Sequence, residues 1–134
     1  MESIKLSRIL SWLPLLILFA CGFQNSDSSV LKESLLLNPI QFNNRISAEE
    51  DPQLIDVRTA EEFSQGSIKT ARNYDLLNKD FERNLSNLDS TKTVYVFCAK
   101  GGRSGRAADL LEANGFHSII DLKGGYTAWK VVHK

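Results

Sequence analysis

The chain has 134 residues, with 16 basic and 16 acidic side chains and so no formal net charge, enough for one hydrophobic core and too few for two. Nothing in it forms a basic patch, so nucleic acid is not an expected partner. Any attraction for an anion has to be local.

Lys5 and Arg8 precede an apolar stretch over residues 9–20 that Ser11 and Pro14 interrupt. It is about half the length a bilayer span needs and reads as the hydrophobic region of a secretory signal, residues 1–20. The segment that follows, Leu18-Phe19-Ala20-Cys21-Gly22, resembles a bacterial lipobox, with Phe19 bulkier than the usual residue. That resemblance implies a diacylglycerol thioether on Cys21, membrane anchoring through the lipid, and export to the periplasm or cell envelope. An ordinary cleaved signal and an uncleaved anchor are the alternatives. Residues 21–33 read as the lipidated start and a polar tether, and residues 34–134 as the folded domain. With Cys21 and Cys98 the only cysteines, no structural disulfide is expected.

Leu35, Leu36 and Leu37 form either an edge strand or part of a covering layer. Asn38-Pro39 supplies an N-cap and a proline at the first helical position, and Ile40, Phe42 and Ile46 line one side of a short helix ending near Ser47. Residues 53–57 read as a strand. Thr59 caps a brief helix through Gln65, with Glu62 four residues after Arg58 and placed to pair with it. Asp56, at the strand end, either orients a neighbouring loop by accepting N–H bonds or caps the next turn. A short strand is expected over residues 71–74. Leu76, Leu77, Phe81, Leu85 and Leu88 recur at helical spacing and predict one amphipathic helix.

The β-branched and aromatic run over residues 93–97, bounded by a polar turn and by glycines, reads as a parallel strand buried on both faces. Cys98 stands at its carboxyl end. From Ser104 onward Ala107, Leu110 and Leu111 predict a helix of about three turns closed by Gly115. Beyond strand ends of an open α/β sheet lies the ligand crevice, so Cys98 is a candidate nucleophile there. Free amides of the helix start, with Lys100, Arg103 and Arg106, lower the thiol pKa and favour the thiolate. Gly101 and Gly102 allow successive N–H groups to turn inward around the sulfur. The competing reading is that Cys98 is a small apolar residue ending a strand.

Residues 117–122 read as the last strand, and Gly124-Gly125 as a sharp turn into a helix carrying Tyr126, Trp129 and Val132. His117 and His133 follow no metal-ligand spacing, so no metal is expected, and no glycine pattern for a nucleotide cofactor follows a strand. The alternation of strands and helices predicts an α/β domain with a mostly parallel five-stranded sheet and helices on both faces.

Three segments in order carry a family resemblance. Cys98-Ala99-Lys100-Gly101-Gly102-Arg103-Ser104 resembles the active-site loop of single-domain rhodaneses. The segment from Leu54 to Ile68 resembles their amino-terminal signature, and that from Leu122 to Trp129 their carboxyl-terminal one. The resemblance covers residues 35–131 and implies the same α/β fold and thiosulfate sulfurtransferase chemistry. Cys98 would be the catalytic nucleophile, with Ala99, Lys100, Gly101, Gly102, Arg103, Ser104 and Arg106 binding substrate. Asp56, Arg58 and Glu62 would support the loop. Implied partners are an anionic sulfur donor such as thiosulfate and a thiol or cyanide acceptor; a weakly catalytic sulfur-carrier, sensing or interaction module is the alternative. The chain departs from the family at Ser67, where histidine is usual, and at Lys69-Thr70, where proline-glycine is usual. Related phosphatase-like loops place five residues between cysteine and arginine; four here make a ring suited to one extra sulfur atom.

Overall fold

The computed structural model describes residues 33–134. The expectations of a secretory signal, of lipid on Cys21 and of a tether before Glu33 lie outside those residues. Within them five strands form one sheet in the order β1-β5-β4-β2-β3. They are β1 (Glu33–Leu37), β2 (Gln53–Asp56), β3 (Arg72–Asn73), β4 (Val94–Phe97) and β5 (Ser118–Leu122). All pairings between them are parallel, with Leu54 opposite Tyr95 and Val96 opposite Asp121. The carboxyl ends of β2, β4 and β5 therefore share one edge, where ligands approach such sheets. Leu35, Leu36 and Leu37 belong to β1, the edge strand of the two readings left open.

Helices cover both faces, as expected: α1 (Pro39–Ser47), α2 (Ala60–Ser64), α3 (Asp80–Asn84), α4 (Gly102–Ala113) and α5 (Gly125–Val132). Strand alternation sorts the core. Val94, Val96 and Cys98 pack with Phe81, Ala107 and Leu111 on one face. Tyr95 and Phe97 pack with Phe42, Ile46, Tyr126 and Trp129 on the other. Each fully buried large apolar side chain contributes about 1.5–3 kcal/mol, which makes β2 and β4, buried at every position, the rigid centre. Asn38 and Thr59 each close a capping box, with Gln41 and Glu62, so the two helix starts fall where the sequence places them.

The expected amphipathic helix through Leu76 and Leu88 does not form as one element. Asp75 Oδ1 accepts the Leu77 N–H at 2.8 Å, and Asn78 Oδ1 accepts the Asp80 N–H at 2.7 Å. These local side-chain bonds compete with helical ones, leaving only α3 and a 3₁₀ turn over Leu85–Asn87, with Leu77 exposed. Helix α4 starts two residues before Ser104, at Gly102. Thr70 has φ 72°, alone among non-glycine residues described, at one of the two positions where the chain departs from the pattern it resembles.

Candidate active site

Cys98 follows β4 directly and is 2% exposed. Gly101, at φ 110°, turns its N–H onto the Cys98 sulfur at 3.1 Å, a conformation that glycine adopts without a Cβ clash. Burial pushes the Cys98 thiol up. The Ser104 side chain, then the N–H groups of Ser104, Gly101 and Lys100, outweigh it and hold the thiol below its ordinary range. The thiolate is thus favoured mainly by main-chain amides and one hydroxyl at the start of α4, the source of anion affinity at a helix terminus. Lys100 and Arg106, expected as local positive charge, have exposed side chains. Ala99 and Gly102 serve the loop's shape: the Ala99 carbonyl accepts the Thr127 N–H at 3.0 Å, and Gly102 opens α4.

Arg103 is held by Glu62 through two bonds, Nη1 to Oε2 at 2.6 Å and Nη2 to Oε1 at 2.8 Å. The expected pairing of Arg58 with Glu62 is therefore corrected. Arg58 instead grips Asp56, Nη2 to Oδ2 at 2.6 Å and Nε to Oδ1 at 3.0 Å, and donates to the Gly66 carbonyl at 2.7 Å. Arg58 precedes the cap of α2, so helical i,i+4 spacing does not apply to it. The Arg103 guanidinium holds the Glu62 carboxyl down to about 2, against the opposing effect of burial. The Asp56 carboxylate, fully buried, also accepts the Arg58 N–H at 3.0 Å and the Ser67 hydroxyl at 2.7 Å. Asp56 thus fastens the turn after β2, the second of its two expected roles. Ser67, a departure from the pattern the segment resembles, is part of that fastening.

Helix α5 braces the cysteine loop from the opposite face. The Tyr126 N–H reaches the Cys98 carbonyl at 2.7 Å. A Cβ on Gly125 would lie 2.5 Å from that same carbonyl oxygen, so only glycine permits the approach. Arg58 lies over the Tyr126 ring at 4.3 Å, linking α5 back to the turn after β2. Between these elements a cleft of about 240 Å³ opens, with Arg58, Glu62, Gly66, Ala99, Tyr126 and Lys130 in its walls. Sequence reasoning missed the Glu62–Arg103 pair, which joins residues 41 positions apart. It also missed Asp121, whose Oδ1 is buried with no hydrogen-bond partner. The available signal was an acid between Ile120 and Leu122 in an apolar strand.

The profile of the rhodanese-like domain family matches residues 38–131. The uncharacterized protein YqhL of Bacillus subtilis is 43% identical over 77 residues, covering 58% of this chain and 60% of that protein. Thiosulfate sulfurtransferase 16, chloroplastic, of Arabidopsis thaliana is 42% identical over 86 residues, covering 56% of this chain and 71% of the relative. The crystal structure of a rhodanese-like domain protein from Staphylococcus aureus superposes with a TM-score of 0.64 at 29% identity, covering 71% of this chain and 90% of that one.

Proposed function

Because the chain belongs to the rhodanese-like family, we propose that it is a sulfurtransferase working through a persulfide on Cys98. The observation that carries this reading is the Cys98 sulfur at the carboxyl edge of a parallel sheet, with the Gly101 N–H on it at 3.1 Å. The thiolate attacks the outer sulfur of an anionic donor such as thiosulfate. The sulfur–sulfur bond of the donor breaks, sulfite leaves with the electron pair, and Cys98 carries the added sulfur. The loop amides and the Ser104 hydroxyl that favour a thiolate would favour the persulfide anion equally. A thiol or cyanide then attacks that outer sulfur and restores the thiolate, which requires ping-pong kinetics. Arg103, fixed by Glu62, contributes positive charge that acts on Cys98, and the adjoining cleft is the proposed approach for donor and acceptor.

The second reading is a sulfur-carrier or interaction module that turns over slowly. One observation favours it: Cys98 is 2% exposed, so an acceptor reaches its sulfur only through the loop. Turnover of thiosulfate with cyanide by the wild type beside Cys98→Ser decides between them. Loss of turnover in the variant, with one added sulfur on the Cys98 peptide of the wild type, is the expected result. Equal rates would remove the catalytic reading, and a persulfide formed without turnover would support the carrier.

A further inference from the structure

Asp121 has no part in the chemistry above, yet the fold brings it to the sulfur. Register sets it opposite Val96 on β4, two residues before Cys98, so Asp121 and Cys98 share the face covered by α4. The side chain between them is Ser104, fully buried, whose hydroxyl neighbours both the Cys98 thiol and the Asp121 carboxyl. We propose that Asp121 is a positioning residue for the Cys98 sulfur, acting through the Ser104 hydroxyl.

Proton counting carries the inference. A serine hydroxyl has one proton to donate and lone pairs to accept with. Around Ser104 stand three acceptors, the Gly101 carbonyl at 3.1 Å, the Cys98 thiolate and the Asp121 carboxylate. One proton cannot serve all three, and Asp121 Oδ1 is the atom left without a partner. A protonated Asp121 resolves the shortage: its O–H donates to Ser104 Oγ, and the Ser104 proton remains for the loop and the sulfur. An ionised Asp121 draws that proton to itself and adds negative charge on the sulfur's side, so the thiolate is disfavoured. The two groups therefore compete for charge and titrate as a pair.

The other groups around Asp121 leave this coupling undisturbed. Burial pushes the Asp121 carboxyl up to about 6, opposed by the Ser104 hydroxyl and the Leu122 N–H. From β4 the titratable group on its face is Cys98, and from β1 the facing residue is the apolar Leu36. On α4, Arg103 is turned to Glu62 and Arg106 is exposed, as is Lys123 just beyond β5.

The proposal rests on Cys98 as the reacting nucleophile but is tested without sulfur transfer. In the full chain, the rate of Cys98 alkylation by iodoacetamide is followed against pH for the wild type and Asp121→Asn. The amide keeps an N–H for Ser104 and removes the charge, so the thiol midpoint should fall by roughly half a unit or more. In a Ser104→Ala background the same substitution should shift it much less. An unchanged midpoint in Asp121→Asn, or an equal shift with and without Ser104, overturns the proposal. Should Asp121→Asn fail to fold, carboxyl-carbon NMR of the unsubstituted acid serves instead. The Asp121 midpoint, expected near 6, should fall in Cys98→Ala; no change overturns the proposal. Lost sulfur transfer with this coupling intact would count against the proposed enzyme and leave the coupling standing.

Discussion

Glu62 does two things with one carboxylate, and substitution can separate them. It accepts the Thr59 N–H at 3.0 Å to close the capping box of α2, and it grips both terminal nitrogens of Arg103. Glutamine keeps the cap and loses the ion pair, so Glu62→Gln should cost less than about 1 kcal/mol in urea denaturation, the pair being partly solvated. Glu62→Ala loses the cap as well and should cost about 0.5–1 kcal/mol more. The larger expected effect of either is on kcat/KM for thiosulfate, since a released Arg103 no longer holds its place at the loop. The pH dependence has a definite sign. The folded carboxyl is held at about 2, below its ordinary 4.5, so the folded state binds fewer protons than the unfolded state between those values. The stabilisation is complete above about 4.5 and is lost as pH falls through about 2. Wild type and Glu62→Gln should therefore differ at pH 6 and converge toward pH 2, and a gap that widens on acidification would contradict the pairing.

At the scale of elements, two backbone positions make opposite predictions. Thr70 carries a β-branched side chain at φ 72°, a strained region for such a residue. Thr70→Gly should raise stability by about 1 kcal/mol after its greater freedom in the unfolded chain is offset. Gly125 is the reverse case. An added methyl would sit 2.6 Å from the Ala99 carbonyl carbon, within the main chain of the cysteine loop. Gly125→Ala should cost about 3 kcal/mol or displace the loop, and thermal denaturation beside Cys98 alkylation would show which. These positions also mark what the sequence made legible. β4 could be read because an uninterrupted apolar run between turn residues has few other homes, β2 and β5 because Leu54-Ile55 and Ile119-Ile120 stand as short apolar pairs between turn residues, and α1 and α2 because their caps are local. Residues 76–88 misled because leucine spacing was read without the Asx bonds of Asp75 and Asn78 that stop the helix. Arg58 misled because Asp56, two residues away, outcompetes Glu62, whose true partner arrives from α4.

At the scale of the whole molecule, a wholly parallel sheet has a polarity that places its two ends. Glu33 begins β1, so it lies on the amino edge of the sheet, whereas Cys98 follows the last residue of β4 on the carboxyl edge. Eleven residues separate Cys21 from Glu33, a reach of at most about 40 Å when extended. We propose that Cys21 carries a lipid, on the lipobox-like segment before it. In that arrangement the membrane-held end enters the domain from the edge opposite the cysteine loop. Intact-mass measurement of detergent-extracted protein should give a chain beginning at Cys21 with acyl mass, and Cys21→Ser should leave the membrane fraction. A processed chain of unmodified mass, or a Cys21→Ser variant still held by the membrane, would refute the anchor. Sulfur transfer by the folded domain should survive Cys21→Ser, since Gly101 and Tyr126, whose N–H groups hold Cys98, belong to the folded domain.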